Sequence, residues 1–563
     1  MLSFLNSIFA QNQSTVPLIL GLPIEKEINP NEITITWKSN VTSISIVHYG
    51  KINSTKIYTD SIFIDNKTTS HAIKISNLES ATMYNCIVGS RDSTGTSYSK
   101  NFIFSTASPA STSGAMWVYF SKNVNTTVSN GENAKTTNLA NEFVKLINLA
   151  QYSIDICLYS LSGNVGSQIV NALIDAKNRG VKIRFIGEED NSSSVAITSL
   201  KNSGIPFITD NFDPLGSGGY MHNKFGIFDN RNNFSDADDI LWTGSWNATD
   251  SGTNNDDQNV VVIQDVALAN AYTREFEEMW GSSTETPNQT VSRFGSRKTN
   301  NTPHRFMINS VPVELFFSPS DATTSQIYNL LASSSYSINV ALLSFTRDDL
   351  SQIIISKKNN GVKARVLMDN NSDTGNEYLN LLNAGVDVYV KPNSISGYLH
   401  HKYVIVDAEN NSPSATVLTG SHNWSTSAEN SNNENTLIIN SRRIANLYLQ
   451  EFKARYLEIG GKENITLTAI KNNDRNKLDF NFQIYPNPAN PTTTIQFNVD
   501  KKSFVNLNIY SISGQKVETI LEDEFEKGIY KINYKTNKLS SGIYYCKIMV
   551  DKNIKVLPLI LIK

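Results

Sequence analysis

An internal duplication is the feature that most constrains how this chain of 563 residues folds. Short segments recur in the same order in two central stretches, and the offset between matched positions falls gradually from 184 to 176. A drifting offset is typical of a duplicated domain in which one copy has lost a few loop residues. The matched pairs are Ser153–Ile156 with Ser337–Val340, Gly180–Arg184 with Gly361–Arg365, Gly219–Lys224 with Gly397–Lys402, and Thr243–Ser245 with Thr419–Ser421.

Each copy predicts an α/β lobe. Amphipathic stretches precede Gly180 and Gly361, and each is followed by a short apolar run that is typical of a buried strand. Residues 116–283 and 311–457 are therefore predicted to form two similar lobes related by a pseudo-twofold axis, with residues 284–310 as a connector. Because one chain supplies both halves of a site between the lobes, we expect a monomer.

A His-x-Lys-x4-Asp motif occurs once in each copy, and Gly-Ser-x-Asn follows each motif. The period of two along a strand places the histidine and the lysine on one face. Two such strands that meet across the pseudo-twofold axis would bring two histidines and two lysines together. The candidate catalytic residues are His222, Lys224, Asp229, His400, Lys402 and Asp407, and the candidate supporting residues are Ser245, Asn247, Ser421 and Asn423.

These side chains suit the cleavage of a phosphodiester. The ammonium groups of Lys224 and Lys402 can neutralise the non-bridging oxygens, and the serine and asparagine side chains can add hydrogen bonds. One histidine can attack phosphorus, while the other protonates the leaving alcohol and then activates water. This scheme requires no metal ion or other cofactor, and no carboxylate cluster for a metal is evident in the sequence.

With these motifs, residues 116–457 resemble the phospholipase D superfamily. The resemblance implies a phosphoric diester hydrolase that works through a phosphohistidine intermediate. In this family an acidic residue downstream often hydrogen-bonds a histidine ring. That pattern implies a supporting role for Glu434 in the second copy and for Gln258 at the matching position of the first, where Asp257 could substitute.

The difference between Glu434 and Gln258 suggests different roles for the two histidines. A carboxylate raises the basicity of a histidine, whereas an amide only orients the ring. Our hypothesis is that the histidine paired with Glu434 is the nucleophile. If the partners cross between the copies, that histidine is His222.

Other residues in and near the motifs also have structural interpretations. Asp229 and Asp407 are expected to brace the fold rather than contact the substrate. His401 points to the opposite face from His400 and is expected to be structural. The remaining candidates, which could either line the pocket or pack in the core, are Trp246, His422 and Trp424.

The N-terminal part of the chain reads as short strands. Residues 16–106, with Trp37, Leu78 and Tyr84, resemble a fibronectin type III β-sandwich with its tyrosine corner. Residues 107–115 are a linker by composition. Residues 1–15 are interpreted as the remnant of a signal peptide, although the basic leading segment of such a peptide is missing.

The C-terminal part, residues 480–563, returns to strands after a polar linker at 458–479. It resembles the C-terminal sorting domain of the type IX secretion system. The motifs that carry the resemblance are Tyr485–Thr492, Ser513–Gln515, Ser541–Tyr545 and the apolar end Leu559–Lys563. The resemblance implies export across the outer membrane, the secretion machinery as a partner, and a secreted or cell-surface location. No apolar run is long enough to predict a transmembrane segment.

The charge of the chain bears on the substrate. The formal net charge is −3 overall, and residues 116–457 carry 26 Lys and Arg against 34 Asp and Glu. An acidic catalytic region is unlike the basic face that nucleases present to phosphate backbones. We therefore favour the hydrolysis or exchange of phospholipid headgroups. The alternatives are a metal-independent endonuclease of the same superfamily and a catalytically inactive adhesion protein.

Overall fold

The computed structural model describes residues 16–216, 218–232, 238–410, 412–467, 482–487, 489, 491–499, 501–511, 516–536, 538–540, 542–551 and 553–561. The chain divides into two compact units, residues 1–468 and 469–563. The proposed signal segment at 1–15 and residues 468–479 of the proposed linker lie outside the described residues.

The first unit begins with an all-β domain. Trp37 and Ile35 are buried in its core, and the amide of Glu79 donates a 2.9 Å hydrogen bond to the hydroxyl of Tyr84. This bond is the tyrosine corner expected from the sequence, while the assignment to the fibronectin type III family stays a prediction. The strands are β1 Ile19–Lys26, β2 Glu32–Lys51, β3 Asp60–Ser76, β4 Met83–Arg91, β5 Thr96–Tyr98 and β6 Phe102–Ser105.

The first lobe follows as a mixed sheet with helices. Among the described residues its strand order is β11-β10-β9-β12-β13-β14-β7-β8. The strands are β7 Ser113–Phe120, β8 Lys135–Thr136, β9 Ser153–Leu158, β10 Lys182–Gly187, β11 Phe207–Thr209, β12 Lys224–Phe228, β13 Ile240–Gly244 and β14 Asn259–Asp265. The helices are α1 Leu139–Leu149, α2 Gly163–Asn178, α3 Val195–Asn202, α4 Asp250–Asn254 and α5 Val266–Trp280.

The second lobe repeats this topology. Its order, β15-β16-β22-β21-β20-β17-β18-β19, matches the first lobe from β7 to β11 strand by strand, with parallel pairing at the same places. The strands are β15 Arg305–Ile308, β16 Val311–Ser318, β17 Ser337–Leu342, β18 Lys363–Met368, β19 Asp387–Val390, β20 Lys402–Val406, β21 Thr416–Gly420 and β22 Glu434–Asn440. The helices are α6 Thr323–Ser333, α7 Asp348–Asn359, α8 Tyr378–Asn383, α9 Thr426–Asn430 and α10 Arg442–Glu458.

The two lobes share one hydrophobic core. This core contains inner faces of both sheets together with α5 and α10, whereas α1–α3 and α6–α8 pack in separate clusters on the outer face of each sheet. Tyr272 contacts Phe317 across the lobes at 5.1 Å between ring centroids. The shared core explains why two duplicated halves can hold side chains in a fixed relation across their seam.

The segment predicted as a connector is partly regular structure. Phe294 is buried in the shared core, and residues 305–308 form β15 at the edge of the second sheet. Arg305 pairs with Glu25 of the N-terminal domain at 2.8 Å. The connector therefore packs against the lobes and links them to the first domain.

The second unit is a β-sandwich with its own core. Its two sheets have the orders β23-β24-β27 and β26-β25-β28-β29 among the described residues. The motif at residues 513–515 lies outside them. The strands are β23 Phe482–Tyr485, β24 Thr492–Val499, β25 Ser503–Ser511, β26 Lys516–Phe525, β27 Gly528–Lys535, β28 Gly542–Val550 and β29 Asn553–Leu561.

The aspartates of the two motifs brace the lobes, as expected, although they belong to the candidate catalytic set. Asp229 follows β12 with a φ of 62°, and Asp407 follows β20 with a φ of 57°. Each carboxylate accepts hydrogen bonds from three successive backbone amides that lead into β9 or β17. Asp229 lies five positions after Lys224, roughly 17 Å along the strand, so a role in contact with the substrate is not supported.

We expect Asp229→Ala and Asp407→Ala each to lower the free energy of unfolding by about 2–4 kcal/mol. Each removes the charged acceptor of three successive backbone amides, of which those of Ser153 and Ser337 belong to buried residues. Tryptophan fluorescence in a urea titration measures this, since all six tryptophans precede residue 468 and report on the first unit only. Asp175→Ala, at an exposed position of α2, is the control. Equal stability of the motif variants and the control would contradict the bracing role.

Candidate active site

His222 is held at the seam by backbone hydrogen bonds that cross between the lobes. Its amide donates to the carbonyl of Asn433 at 3.1 Å, and the amide of Asn433 donates to the carbonyl of Tyr220 at 2.8 Å. Gly219 permits this approach, because a Cβ there would lie 2.1 Å from the carbonyl oxygen of Ser431.

His400 is held by the equivalent hydrogen bonds with the roles of the two lobes exchanged. Its amide donates to the carbonyl of Asp257 at 3.1 Å, and the amide of Asp257 donates to the carbonyl of Tyr398 at 2.8 Å. Gly397 has a φ of +79°, and a Cβ there would lie 1.9 Å from the carbonyl oxygen of Asn255. Each histidine is thereby fixed against the segment of the other lobe that supplies its partner.

The partner of His222 is a buried carboxylate of the second lobe. Nδ1 of His222 lies 2.8 and 2.9 Å from the two carboxylate oxygens of Glu434. The same carboxylate accepts a 2.6 Å hydrogen bond from Ser421 Oγ. Since Glu434 is an acceptor, Nδ1 carries the proton and Nε2 keeps its lone pair. Burial lowers the pKa of His222 to about 4, and the charge of Glu434 opposes this shift. Burial alone would raise the pKa of Glu434, but His222 and its neighbours hold it below its ordinary value.

The partner of His400 is a neutral amide of the first lobe. Nδ1 of His400 lies 3.0 Å from Gln258 Oε1 and 3.0 Å from the carbonyl oxygen of Ser245. Ser245 Oγ donates to the same Gln258 oxygen at 2.8 Å. The two rings therefore have the same orientation, but only His222 has a charged partner.

The lysines lie next to the histidines of their own motifs. Lys224 Nζ donates to the carbonyl of His222 at 2.8 Å and lies 5.0 Å from the ring centre of Tyr159. Lys402 Nζ donates to the carbonyl of His400 at 2.9 Å and lies 3.3 Å from its Nε2. Burial lowers the pKa of Lys224 to about 7, and burial together with the charge of Lys224 lowers the pKa of Lys402 well below its ordinary value.

The four groups act on one another across the seam. Besides burial, the charges of Lys402, Lys224 and His222 lower the pKa of His400. The charges of Lys224 and Lys402 likewise contribute to the lowered pKa of His222. Cationic groups from both lobes therefore meet in one buried place, where an anion would relieve their mutual repulsion.

The supporting residues divide into two kinds. The hydroxyls of Ser245 and Ser421 are bonded to Gln258 and Glu434, so they position the histidine partners instead of reaching outward as expected. The Oδ1 atoms of Asn247 and Asn423 are buried and accept no hydrogen bond from the described residues.

Asp257 does not take the place of Gln258. Its carboxylate binds Lys391 Nζ at 2.7 Å and Arg455 Nη1 at 2.7 Å. Adjacent residues of an extended segment point to opposite sides, so Gln258 faces His400 while Asp257 faces away from it. The suggested substitution is therefore wrong.

Several other candidates are structural. His401 lies between Asn259 and Glu451, at 2.9 and 3.0 Å, away from the site. Trp246 and Trp424 are buried in the hydrophobic clusters on the outer faces of their lobes' sheets. His422 is buried, with Nε2 3.6 Å from Glu429.

Sequence reasoning missed a pair of carboxylates beside the histidines. Glu188 accepts a hydrogen bond from the amide of Met221, and Asp369 accepts one from the amide of Leu399, so each carboxylate holds the residue before a histidine. Burial raises the pKa of both, that of Glu188 to about 8. Their offset of 181 matches that of the neighbouring glycines, which was the available signal.

Two family models match the chain. The one described as "Cardiolipin synthase, PLD-like domain" matches residues 143–280 and 327–456, one segment in each lobe. The one described as "Secretion system C-terminal sorting domain" matches residues 483–563. A sorting domain of this kind indicates export to the cell surface or beyond. No helix in the described part of the chain is long and apolar enough to cross a membrane.

Individual relatives match a stretch of this chain that is about as long as one lobe. A mitochondrial cardiolipin hydrolase from Xenopus tropicalis is 34% identical over 140 residues, which are 24% of this chain and 63% of the relative. A phospholipase D from Rickettsia prowazekii is 28% identical over 145 residues, 25% of this chain and 67% of the relative. Among solved structures, the crystal structure of Nuc, a phospholipase D family member from Salmonella typhimurium, also matches. The alignment has 27% sequence identity and a TM-score of 0.23, and it covers 26% of this chain and 95% of Nuc. This chain thus spans less than two thirds of the Xenopus protein.

The lowered pKa values predict how stability depends on pH. Both histidines are neutral in the folded protein and have an ordinary pKa of about 6.5 when unfolded. As the pH falls below about 6.5, the two histidines take up protons in the unfolded state but not in the folded state. Acidification therefore favours unfolding, and the free energy of unfolding decreases as the pH falls from about 6.5 toward 4. In urea titrations, the midpoint of the wild type should drop more between pH 7 and pH 5 than that of the His222→Asn/His400→Asn double variant.

The control for that experiment is Asn141→Ala at an exposed position of α1, which removes no titratable group and should keep the wild-type pH dependence. If the double variant lost as much stability on acidification as the wild type, the neutral state of the two histidines would be refuted.

Proposed function

We propose, from the premise that residues 143–280 and 327–456 form a phospholipase D-like domain, that the protein is an exported phosphodiesterase that cleaves phospholipid headgroup esters through a phosphohistidine. The observation that carries the proposal is the crossed arrangement of His222 with Glu434 and His400 with Gln258 at one seam. Two imidazoles and two ammonium groups are what two successive displacements at a phosphorus atom need.

In the first displacement, the lone pair on Nε2 of His222 attacks phosphorus. The bond from phosphorus to the leaving alcohol breaks, and the departing oxygen takes a proton from His400. Lys224 and Lys402 neutralise the charge on the non-bridging oxygens, and the side-chain amino groups of Asn247 and Asn423 donate hydrogen bonds to them. A bound phosphodiester raises the pKa of His400 and of both lysines, because its negative charge offsets the burial that lowers them.

In the second displacement, His400 accepts a proton from water, whose oxygen attacks phosphorus. The phosphorus–nitrogen bond then breaks, and His222 returns to its neutral state. An alcohol in place of water would exchange the headgroup. Glu434 stabilises the positive charge that His222 acquires as a phosphohistidine, whereas Gln258 leaves His400 a stronger proton donor.

The phospholipid substrate is supported by charge and by relatives. Residues 116–457 carry 34 Asp and Glu against 26 Lys and Arg, and this acidic excess disfavours the binding of a duplex phosphate backbone. Two of the matched relatives are named as a cardiolipin hydrolase and a phospholipase D. Release of headgroup from phosphatidylcholine vesicles in EDTA is expected, with no nicking of plasmid or cutting of single-stranded DNA. Cutting of DNA without headgroup release would favour the endonuclease, and neither activity would favour the adhesion protein.

A burst experiment separates the two histidines. With bis(4-nitrophenyl) phosphate, whose leaving group needs no proton, His400→Ala should release about one nitrophenolate per enzyme and then nearly stop, because water is no longer activated. His222→Ala should show no burst. A burst from His222→Ala instead would reverse the assignment.

The matched variants exchange the two partners. Glu434→Gln should slow burst formation by about 10²-fold or more, the usual range for loss of a group that stabilises a catalytic histidine. The double variant Glu434→Gln/Gln258→Glu moves the carboxylate to His400, and part of the burst capacity should move with it. An unchanged burst rate in Glu434→Gln would remove the role given to this carboxylate.

A further inference from the structure

The two lysines of the site lie differently around their histidines. Lys402 Nζ lies 3.2 Å from Nδ1 and 3.3 Å from Nε2 of His400, close enough to share a hydrogen with the Nε2 lone pair. Lys224 Nζ donates to the carbonyl of His222, and among the described residues no hydrogen bond joins it to a ring nitrogen of that histidine. Because Nε2 is the atom that attacks phosphorus in the proposed reaction, this difference bears on which histidine can be the nucleophile.

A tyrosine in the first lobe accounts for the difference. Tyr159 directly follows β9, and its ring centre lies 4.7 Å from that of His222 in a T-shaped arrangement. Lys224 Nζ lies over the same ring, 5.0 Å from its centre. The face of an aromatic ring attracts a cation, so the ammonium group of Lys224 is drawn toward Tyr159.

The second lobe has a leucine at the equivalent position. The amide of Tyr159 donates to the carbonyl of Asn223 at 3.2 Å, and the amide of Leu343 donates to the carbonyl of His401 at 3.0 Å. Each of these two residues follows the strand residue that pairs with the lysine of the motif. A leucine offers no aromatic face to an ammonium group, which agrees with the different position of the second lysine.

We propose that Tyr159 is a positioning residue for the first displacement, whose ring holds the ammonium group of Lys224 away from Nε2 of His222 and so leaves that lone pair free to attack phosphorus. The inference rests on the proposed function and deepens it, since it gives a second reason, besides the carboxylate of Glu434, why His222 is the nucleophile. The ring acts on the reaction through its two neighbours.

The contact with the ring also favours the charged form of Lys224. Burial lowers the pKa of Lys224 to about 7, and the charges of Glu434 and Glu188 oppose this shift. On the cationic side, Lys224 faces Lys402 and both histidines, and these groups repel one another when they are protonated. All of these groups are unaltered when the tyrosine is replaced, so a change in the titration of Lys224 reports the loss of the ring.

Two variants test the inference by NMR titration. Tyr159→Leu gives the first lobe the residue of the second, and Tyr159→Phe keeps the aromatic face. In protein labelled with carbon-13 at lysine Cε, the Lys224 signal is identified by its loss in Lys224→Gln. Its titration midpoint should fall by about 0.5 to 1.5 pH units in Tyr159→Leu, the range expected for a lost cation–π contact, and should stay at the wild-type value in Tyr159→Phe.

The Lys402 signal is the internal control. Its midpoint should not fall in Tyr159→Leu, because weaker protonation of Lys224 reduces the repulsion that Lys402 experiences. A general change in the burial of the site would instead lower both midpoints together.

Burst kinetics test the effect on the reaction. In the His400→Ala background with bis(4-nitrophenyl) phosphate, Tyr159→Leu should slow the burst by about tenfold or more and keep its amplitude, since Lys224 can then move against Nε2 of His222. Tyr159→Phe should keep the burst rate within about twofold of the parent. A purely structural role would lower the amplitude, because less folded enzyme would be present.

Tyr159→Leu is expected to fold, because the second lobe already accommodates a leucine at this position, and its midpoint in a urea titration checks this. If it does not fold, Tyr159→Met takes its place with the same expectations.

The inference is overturned if Tyr159→Leu leaves the Lys224 midpoint or the burst rate unchanged, if Tyr159→Phe alters either as much as Tyr159→Leu does, or if the Lys402 midpoint falls equally. These results would leave the phosphodiesterase intact. Absence of any burst from the parent His400→Ala would instead count against the proposed function, and the NMR titration alone would then decide whether Tyr159 holds Lys224.

Discussion

The site depends on backbone hydrogen bonds that cross the seam between the lobes. The segments before His222 and His400 each pair, in one short bridge, with the segment of the opposite lobe that carries the histidine partner. A bond between main-chain atoms leaves little freedom for the side chains beside it, since the pleat then fixes their direction. The glycines at 219 and 397 are part of the same constraint, because any side chain there would push the lobes apart.

Burial sets the electrostatic character of the site. Water would screen the two lysines and two histidines from one another, but here they lie together with almost no exposure. The result is a set of lowered pKa values on the basic groups and raised values on the flanking carboxylates, so fewer charges are present than the composition suggests. An anion that entered such a site would raise the pKa values of these basic groups and so favour their protonation, most strongly where water is excluded.

Most of the architecture could be predicted from the sequence, because the duplicated segments recur in the same order in both copies. Strand patterns, motif spacing and the drifting offset were sufficient to place two equivalent lobes and to bring His222 and His400 to one seam. The roles of Ser245 and Ser421 could not be predicted. A serine that hydrogen-bonds a phosphate and a serine that hydrogen-bonds the partner of a histidine look the same in the sequence. Asp257 was a reasonable substitute by charge alone, but the pleat turns it toward Arg455. The pair Glu188 and Asp369 escaped notice because neither belongs to a motif, and only their register identifies them.

The joining of both copies in one polypeptide has a consequence for how such a site can change. In an assembly of two identical subunits, every substitution appears twice, and both histidines must keep the same neighbours. In this chain the copies differ: one histidine pairs with a carboxylate and the other with an amide, and one lobe carries a lysine where the other carries an aspartate. With both copies in one polypeptide, the surroundings of one histidine can therefore change without changing those of the other.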